Sequence, residues 1–454
     1  MQFSAEHITH IRQEFATMAT KEEFVALLNY AKEILIGDKY QPFELKQITY
    51  YANAKVSGVR YKKFEIKKKS GGVRVIHSPI KGLSIIQRCL NAILQCVFTP
   101  HDAAKGFVLG RSIVDNAKKH VGRNYVYNID LKDFFPSVDQ ARVWKCLQLP
   151  PFNLVDSEKS QIVTRKTIKS EVLALMKANG LGEDRQTLNR ALDKVSPQIN
   201  KGRIHLAHII ASLSCTEMIV ERCIDGEWQE VKKNVLPQGA ATSPILTNLV
   251  CQRLDYLLTG VAKRFGLRYT RYADDITFSS QHNIFKEDGE FIKELRRIIA
   301  EQGFHIKESK VRLQQAAFRQ EVTGLIVNKT VNVNQNYIKQ LRMWLYNWER
   351  YGYDRAYNYF LPSYFASKTT PVKGKPDMAN VIGGKLNYLK MVKGENNEMY
   401  LKLKERFDFL ISNCLPIRSI LDIWEHEGIE KAMGSFYNVK ADQQVLSIIK
   451  GDLL

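Results

Sequence analysis

Two adjacent carboxylates, Asp274 and Asp275, sit inside the string RYADDITF at 271–278. Strand-forming residues flank them, which predicts two short strands meeting at a tight turn with both carboxylates at its tip. Adjacent carboxylates repel unless a cation lies beside them. A divalent metal is the usual partner, and a solvated turn is the ordinary alternative. A third carboxylate, Asp130, falls where the apolar strand at 125–130 ends, the placement a strand-end metal site needs. Pro237-Gln238-Gly239 leads into a run of small residues that lets a flat ligand or a second backbone approach closely. Close helix–sheet packing explains the small residues equally well, but not Gln238. Lys310 follows downstream. This set suits nucleotidyl transfer, in which two Mg²⁺ ions, or Mn²⁺ as a substitute, activate a hydroxyl and stabilise departing pyrophosphate.

The elements that must position these residues are legible in outline. Residues 1–55 are helical, with apolar positions at helical spacing through Phe24, Val25, Leu27, Leu28, Ala31, Ile34 and Leu35. A basic hairpin follows around Ser70-Gly71-Gly72; its Lys69 and Arg74 are either a solvated charged turn or contacts for a triphosphate. A helix covers 83–94. Asn116 and His120 stand four apart on one helical face, as a nucleic-acid contact or a capped, solvated helix end. Past Asp130 come Phe134 and Phe135, expected to be buried, and Pro136 ends the element. Residues 153–205 are polar and helix-prone and read as an insertion. A helix at 291–302 turns Phe291, Leu295, Ile298 and Ile299 inward and closes at Gly303. Val322, Thr323 and Gly324 lie in a short strand pair. Beyond them Tyr337, Lys339, Arg342, Trp344 and Trp348 suit a surface tracking nucleic acid, or a helical core.

Composition narrows the partner. The 454 residues carry 67 Lys and Arg against 47 Asp and Glu, a net charge of +20, which calls for a polyanion. No apolar run approaches the roughly 18 residues of a membrane span, and the N-terminus has no signal-peptide pattern, so a membrane role is not expected. The seven cysteines include no C-x-x-C pair and read as reduced thiols of a cytoplasmic protein, not as a zinc site.

The strings YNIDLKDFFPSV at 127–138, LPQGAATSP at 236–244, RYADD at 271–275 and VTGLIV at 322–327 occur in an order that resembles the palm motifs of reverse transcriptases. The likeness spans about residues 60–410. NAKKH at 116–120 and VTG at 322–324 resemble signatures of the retron branch, bacterial enzymes that copy their own structured RNA. The resemblance implies an α/β right-hand polymerase fold: an N-terminal helical region to 55, fingers at 56–124, a ferredoxin-like palm at 125–335, a helical thumb at 336–410 and a helical tail at 411–454. It implies that Asp130 and Asp274 ligate both metals, Asp275 completes the acidic cluster and the Leu131 carbonyl touches the nucleotide-side ion. Lys69 and Arg74 would hold the triphosphate, Gln238 and Gly239 the nucleotide, and Phe135 would exclude a 2′-hydroxyl. Lys310 would protonate pyrophosphate. Val322, Thr323 and Gly324 would form the primer grip, with Asn116 and His120 in the retron-specific region.

The partners so implied are dNTPs, a cognate non-coding RNA with its branched, msDNA-like DNA product, and a separate effector protein in antiphage defence. Two departures stand out. Ala241 occupies a position where the family reads Pro, and 144 residues separate Asp130 from Asp274, well beyond the usual spacing. Other readings stay open: a defence reverse transcriptase outside the retrons, protein-primed or untemplated; a group II intron relative; or a non-catalytic RNA-binding scaffold. A nucleotide cyclase also pairs carboxylates on such a sheet, but needs neither the Pro-Gln-Gly turn nor this charge. The sequence does not set the oligomeric state.

Overall fold

The structure, a computed structural model, describes residues 3–37, 41–53, 59–67, 71–156, 165–178, 187–188, 202–366, 368, 374–431 and 433–434. Lys69 and most of 153–205 lie outside these. The chain divides into two compact units, Met1–Ile66 with Gly72–Gln315, and Lys67–Gly71 with Ala316–Leu454.

In the first unit, helices Ala5–Thr17, Lys21–Ile36 and Leu45–Ala52 open the chain. Ser4 and Thr20 cap the first two through capping boxes, each side chain satisfying orphan amides of the first turn. Strands β1 (Tyr61–Lys67) and β2 (Val73–Pro79) form the expected hairpin, and helix Lys81–Val97 follows. Next comes the central sheet. Strand β3 (Tyr125–Asp130) is its first member. Helix Arg203–Ser214 leads into a separate long hairpin, β4 (Thr216–Ile224) with β5 (Glu227–Val235). Helices Ser243–Val250 and Gln252–Arg264 precede β6 (Arg268–Tyr272) and β7 (Asp275–Ser280). Helix Glu290–Glu301 and strand β8 (Arg312–Gln315) complete the unit.

The central sheet is four-stranded and antiparallel in the order β6-β7-β3-β8. Tyr127, Ile129, Ile276 and Phe278 belong to the hydrophobic core, which the flanking helices share through Phe291, Leu295, Leu254, Leu258 and Leu246. Helix Glu290–Glu301 buries Phe291, Ile292, Leu295, Ile298 and Ile299, the apolar face its spacing predicts.

The second unit pairs β9 (Glu321–Val322) with β10 (Leu325–Ile326) across a two-residue turn, where Thr323 and Gly324 have φ of 48° and 81°. Three helices follow, Gln335–Ala366, Met378–Lys393 and Glu398–Glu427; the first breaks at Gly352. Trp344 and Trp348 are 2% and 3% exposed, so they are core, packed on Phe360 and Tyr353, and do not form a stacking surface for bases.

Candidate active site

Asp130 ends β3 and Asp275 begins β7, and the two are partners in register. Tyr272 pairs with Asp275 across β6 and β7, leaving Ala273 and Asp274 as a two-residue loop. The turn tip is therefore Ala273-Asp274, with Asp275 already in the strand; a one-residue shift from the expected geometry. The Leu131 amide donates to the Asp274 carbonyl at 3.0 Å, and the Lys307 amide to the Asp130 carbonyl at 2.8 Å. Asp130, Asp274 and Asp275 thus converge at one end of the sheet. Leu131 is buried.

Burial raises the pKa of Asp274, and the charge of Asp130 raises it further; Lys310 and Arg74 oppose this. Asp275 is pushed up to about 7, by burial first, then by Asp130 and Asp274, against Arg312 and the Asn128 amide. The cluster therefore holds more negative charge than its surroundings balance. Lys310 is in ion-pair contact with Asp130. Among the described residues no three His, Cys, Asp or Glu side chains are placed to hold a metal ion by themselves. The donor set fits Mg²⁺ all the same, since that ion takes one or two carboxylates and fills its octahedron with phosphate oxygens and water.

The hairpin tip is braced from beneath by residues that motif reading missed. Arg271 is fully buried and donates to Asp255 through Nε (2.8 Å) and Nη2 (2.6 Å), to Asn248 Oδ1 at 3.1 Å and to the Ala273 carbonyl at 3.1 Å. The Tyr269 hydroxyl donates to Asp255 at 2.7 Å, and Asn248 Nδ2 donates to the Gly106 carbonyl at 3.0 Å. A Cβ on Gly106 would stand 2.5 Å from the Ala273 nitrogen, so only glycine lets that backbone pack on the tip. Ala273 itself has φ 57°, a conformation costing about 1–2 kcal/mol outside glycine. Asp133 and Phe107 share the same positive-φ region. A signal for the brace was present: Asp255 lies between Leu254 and Leu258 on a helix whose apolar face is buried.

The remaining expected residues divide. Arg74 on β2 is exposed and close enough to influence Asp274. Phe135 is half-buried, its ring tilted against Phe134 at 5.6 Å and Phe107 at 5.9 Å. Gln238 is half-buried, and its carbonyl accepts from the His77 amide at 2.9 Å. Gly239 has φ 124°, and a Cβ there would lie 2.7 Å from the His77 carbonyl. Its smallness is required by β2, the close approach of a second backbone that the sequence left open beside a ligand.

Asn116 and His120 also need correction as direct nucleic-acid contacts, because both are fully buried. The His120 ring bridges Ser279 Oγ and Thr270 Oγ1, each at 2.7 Å, and burial lowers its pKa to about 3. It is a neutral pin joining the turn after helix Ile113–Lys118 to β6 and β7. In the second unit Val322 is buried, while Thr323 and Gly324 form the turn itself.

Comparison with known proteins agrees with this geometry. Residues 203–336 match the family profile described as "Reverse transcriptase (RNA-dependent DNA polymerase)". The chain is similar to retron reverse transcriptases: 33% identical over 63% of its length to Retron Mx65 reverse transcriptase and 31% over 64% to Retron Mx162 reverse transcriptase, both of Myxococcus xanthus. Retron Ec86 reverse transcriptase of Escherichia coli is 27% identical over 62%. The chain spans 55%, 53% and 68% of the length of these relatives, in that order.

Proposed function

We propose that the chain is an RNA-directed DNA polymerase working through Asp130, Asp274 and Asp275. The observation that carries this is the convergence of three carboxylates whose charge the protein leaves under-balanced. Two Mg²⁺ ions, with Mn²⁺ as a substitute, would supply the charge that activates the primer hydroxyl and stabilises the leaving pyrophosphate. Asp130, Asp274 and the Leu131 carbonyl would hold them, and Asp275 would complete the acidic field. Arg74 grips the triphosphate of a dNTP; Gln238 seats the nucleotide against β2. Phe135, backed by Phe107, fills the space a 2′-hydroxyl would need. Lys310, which pairs with Asp130 here, would be the proton donor to pyrophosphate. The Thr323-Gly324 turn contacts the primer strand.

On this reading the first unit holds fingers and palm and the second the thumb. The template is a cognate structured non-coding RNA, primed from a 2′-hydroxyl within it to give a branched, msDNA-like product. The biological setting is cytoplasmic antiphage defence beside a separate effector protein. Support comes from the strings at 116–120 and 322–324 and from the retron relatives. The test is to isolate the protein with its nucleic acid and sequence both strands. A DNA strand complementary to a branched RNA, absent when Asp274 and Asp275 are both changed to Ala, is the expected result. Linear or protein-linked DNA would remove the retron reading, and DNA that persists in the double variant would remove the enzymatic one.

A further inference from the structure

An open cavity of about 470 Å³ in the first unit is lined by none of the residues assigned above. Its wall includes Lys21, Arg60, Gln140, His205, His208 and Ser212, and no carboxylate. Arg60 is 6% exposed and donates to the carbonyls of Tyr51 (2.9 Å), Ser212 (3.0 Å) and Cys215 (3.0 Å). Those neutral acceptors satisfy its hydrogens without cancelling its charge. The pKa of His205 is driven down to about 4, by burial first, then by Lys21 and His208, so His205 stands neutral and the charge of the wall is that of Lys21 and Arg60.

The polar groups are also ordered. Gln140 Nε2 donates to Ser212 Oγ at 2.9 Å, and the same hydroxyl lies 3.1 Å from His208 Nδ1. In the tautomer whose hydrogen is on Nε2, His208 accepts from that hydroxyl through Nδ1 and presents Nε2–H as a donor. Among the described residues only Ala52 and Ile209 contribute apolar side chains to the wall, too little to anchor a hydrophobic peptide. The cavity falls in the roughly 300–1,000 Å³ range of sites that take one small ligand.

We propose that this cavity takes one phosphate-bearing nucleotide of a single-stranded RNA segment, as an anchoring site separate from the aspartate cluster. A phosphate would pair with Lys21 and sit in the field of the uncompensated Arg60 charge while accepting from the neutral donors of the wall. The chain's net charge of +20 favours a polyanion over an isolated anion. The inference rests on the RNA-binding part of the proposed function and not on catalysis.

The test uses the full chain, a fluorescent single-stranded oligoribonucleotide of mixed sequence, and the double variant Lys21→Gln with His208→Asn, which keeps the Ser212 contact. The expected result is about ten-fold weaker binding and a log–log salt slope shallower by about 0.7 for each phosphate left without its protein cation, with an unchanged melting midpoint. Should the double variant not fold, the half-exposed Lys21→Gln alone gives the same readout at smaller amplitude. Unchanged affinity and slope would overturn the proposal. So would adenosine monophosphate binding that the variant abolishes while oligonucleotide binding stays intact, since the site would then serve a free nucleotide. Because binding is the readout, weaker RNA binding by the variant supports this site even if the chain incorporates no dNTP, an outcome that would count against the polymerase alone.

Discussion

Arg271 and Asp255 form a two-point ion pair in which both side chains are essentially excluded from solvent, at 0% and 1% exposure. The same guanidinium reaches the Ala273 carbonyl, so the pair connects helix Gln252–Arg264 to the tip that carries Asp274. Breaking a buried pair by neutralising one partner costs about 3–5 kcal/mol, because the other charge stays buried. Asp255→Asn should therefore lower the denaturation midpoint by that order. Replacing both residues, Asp255→Leu with Arg271→Met, should cost less stability yet still depress kcat, because nothing then holds Ala273. Urea melts and single-turnover rates on the same proteins separate the two effects; equal kcat in wild type and double variant would show that the pair serves stability alone.

Gly106 supplies a steric test of the same tip. Gly106→Ala places a methyl 2.5 Å from the Ala273 nitrogen, and two backbone segments must move to accept it. The expected outcome is a kcat reduced about ten-fold or more with KM for dNTP nearly unchanged, measured by steady-state incorporation. A raised KM at constant kcat would place the damage in nucleotide binding instead.

The protonation of Asp275 gives a pH prediction. Its folded pKa of about 7 is above the unfolded carboxylate value. Between the two values the folded chain binds more protons than the unfolded one, so this group's contribution to stability falls as pH rises from about 4 to about 7. In metal-free buffer Asp275→Asn should stabilise the protein by about 1–3 kcal/mol at pH 8 and by little at pH 4. Adding Mg²⁺ at pH 8 should stabilise wild type and narrow that gap, since the cation does what the proton did. Melting curves across pH, with and without chelator, check both signs.

The contact between Lys310 and Asp130 places a protein cation where a metal must act. Lys310→Met should tighten Mn²⁺ binding to the free protein a few-fold, by removing the competitor, and lower the rate of chemistry by about 10²–10⁴-fold as the proton donor is removed. Titration followed by electron paramagnetic resonance, set beside single-turnover kinetics, reads the two opposite effects. Weaker metal binding in the variant would mean that Lys310 orients Asp130 and does not compete for it.

Asp130, Asp275 and the hairpin around them were legible because strand-forming residues on either side of a carboxylate leave few other geometries. Helix Glu290–Glu301 was legible for the same kind of reason, its apolar period being unambiguous. What stayed hidden depends on partners distant in sequence. Asp255 falls beside the apolar positions Leu254 and Leu258, which signals burial, but only the fold brings Arg271 to it. The spacing of Asn116 and His120 predicts one helical face, but the helix ends at Lys118 and His120 falls in the turn beyond it, where Ser279 and Thr270 fix the ring. Gly239 shows the same limit, its neighbour His77 coming from another hairpin.

The most direct measurement is incorporation of a single dNTP by the full chain on an RNA template with an annealed primer in Mg²⁺, comparing wild type with Asp274→Asn. Template-directed addition by wild type is expected, with a drop of at least about a hundredfold in the variant and RNA binding intact in both. Incorporation at the wild-type rate by Asp274→Asn would contradict a polymerase built on this aspartate cluster.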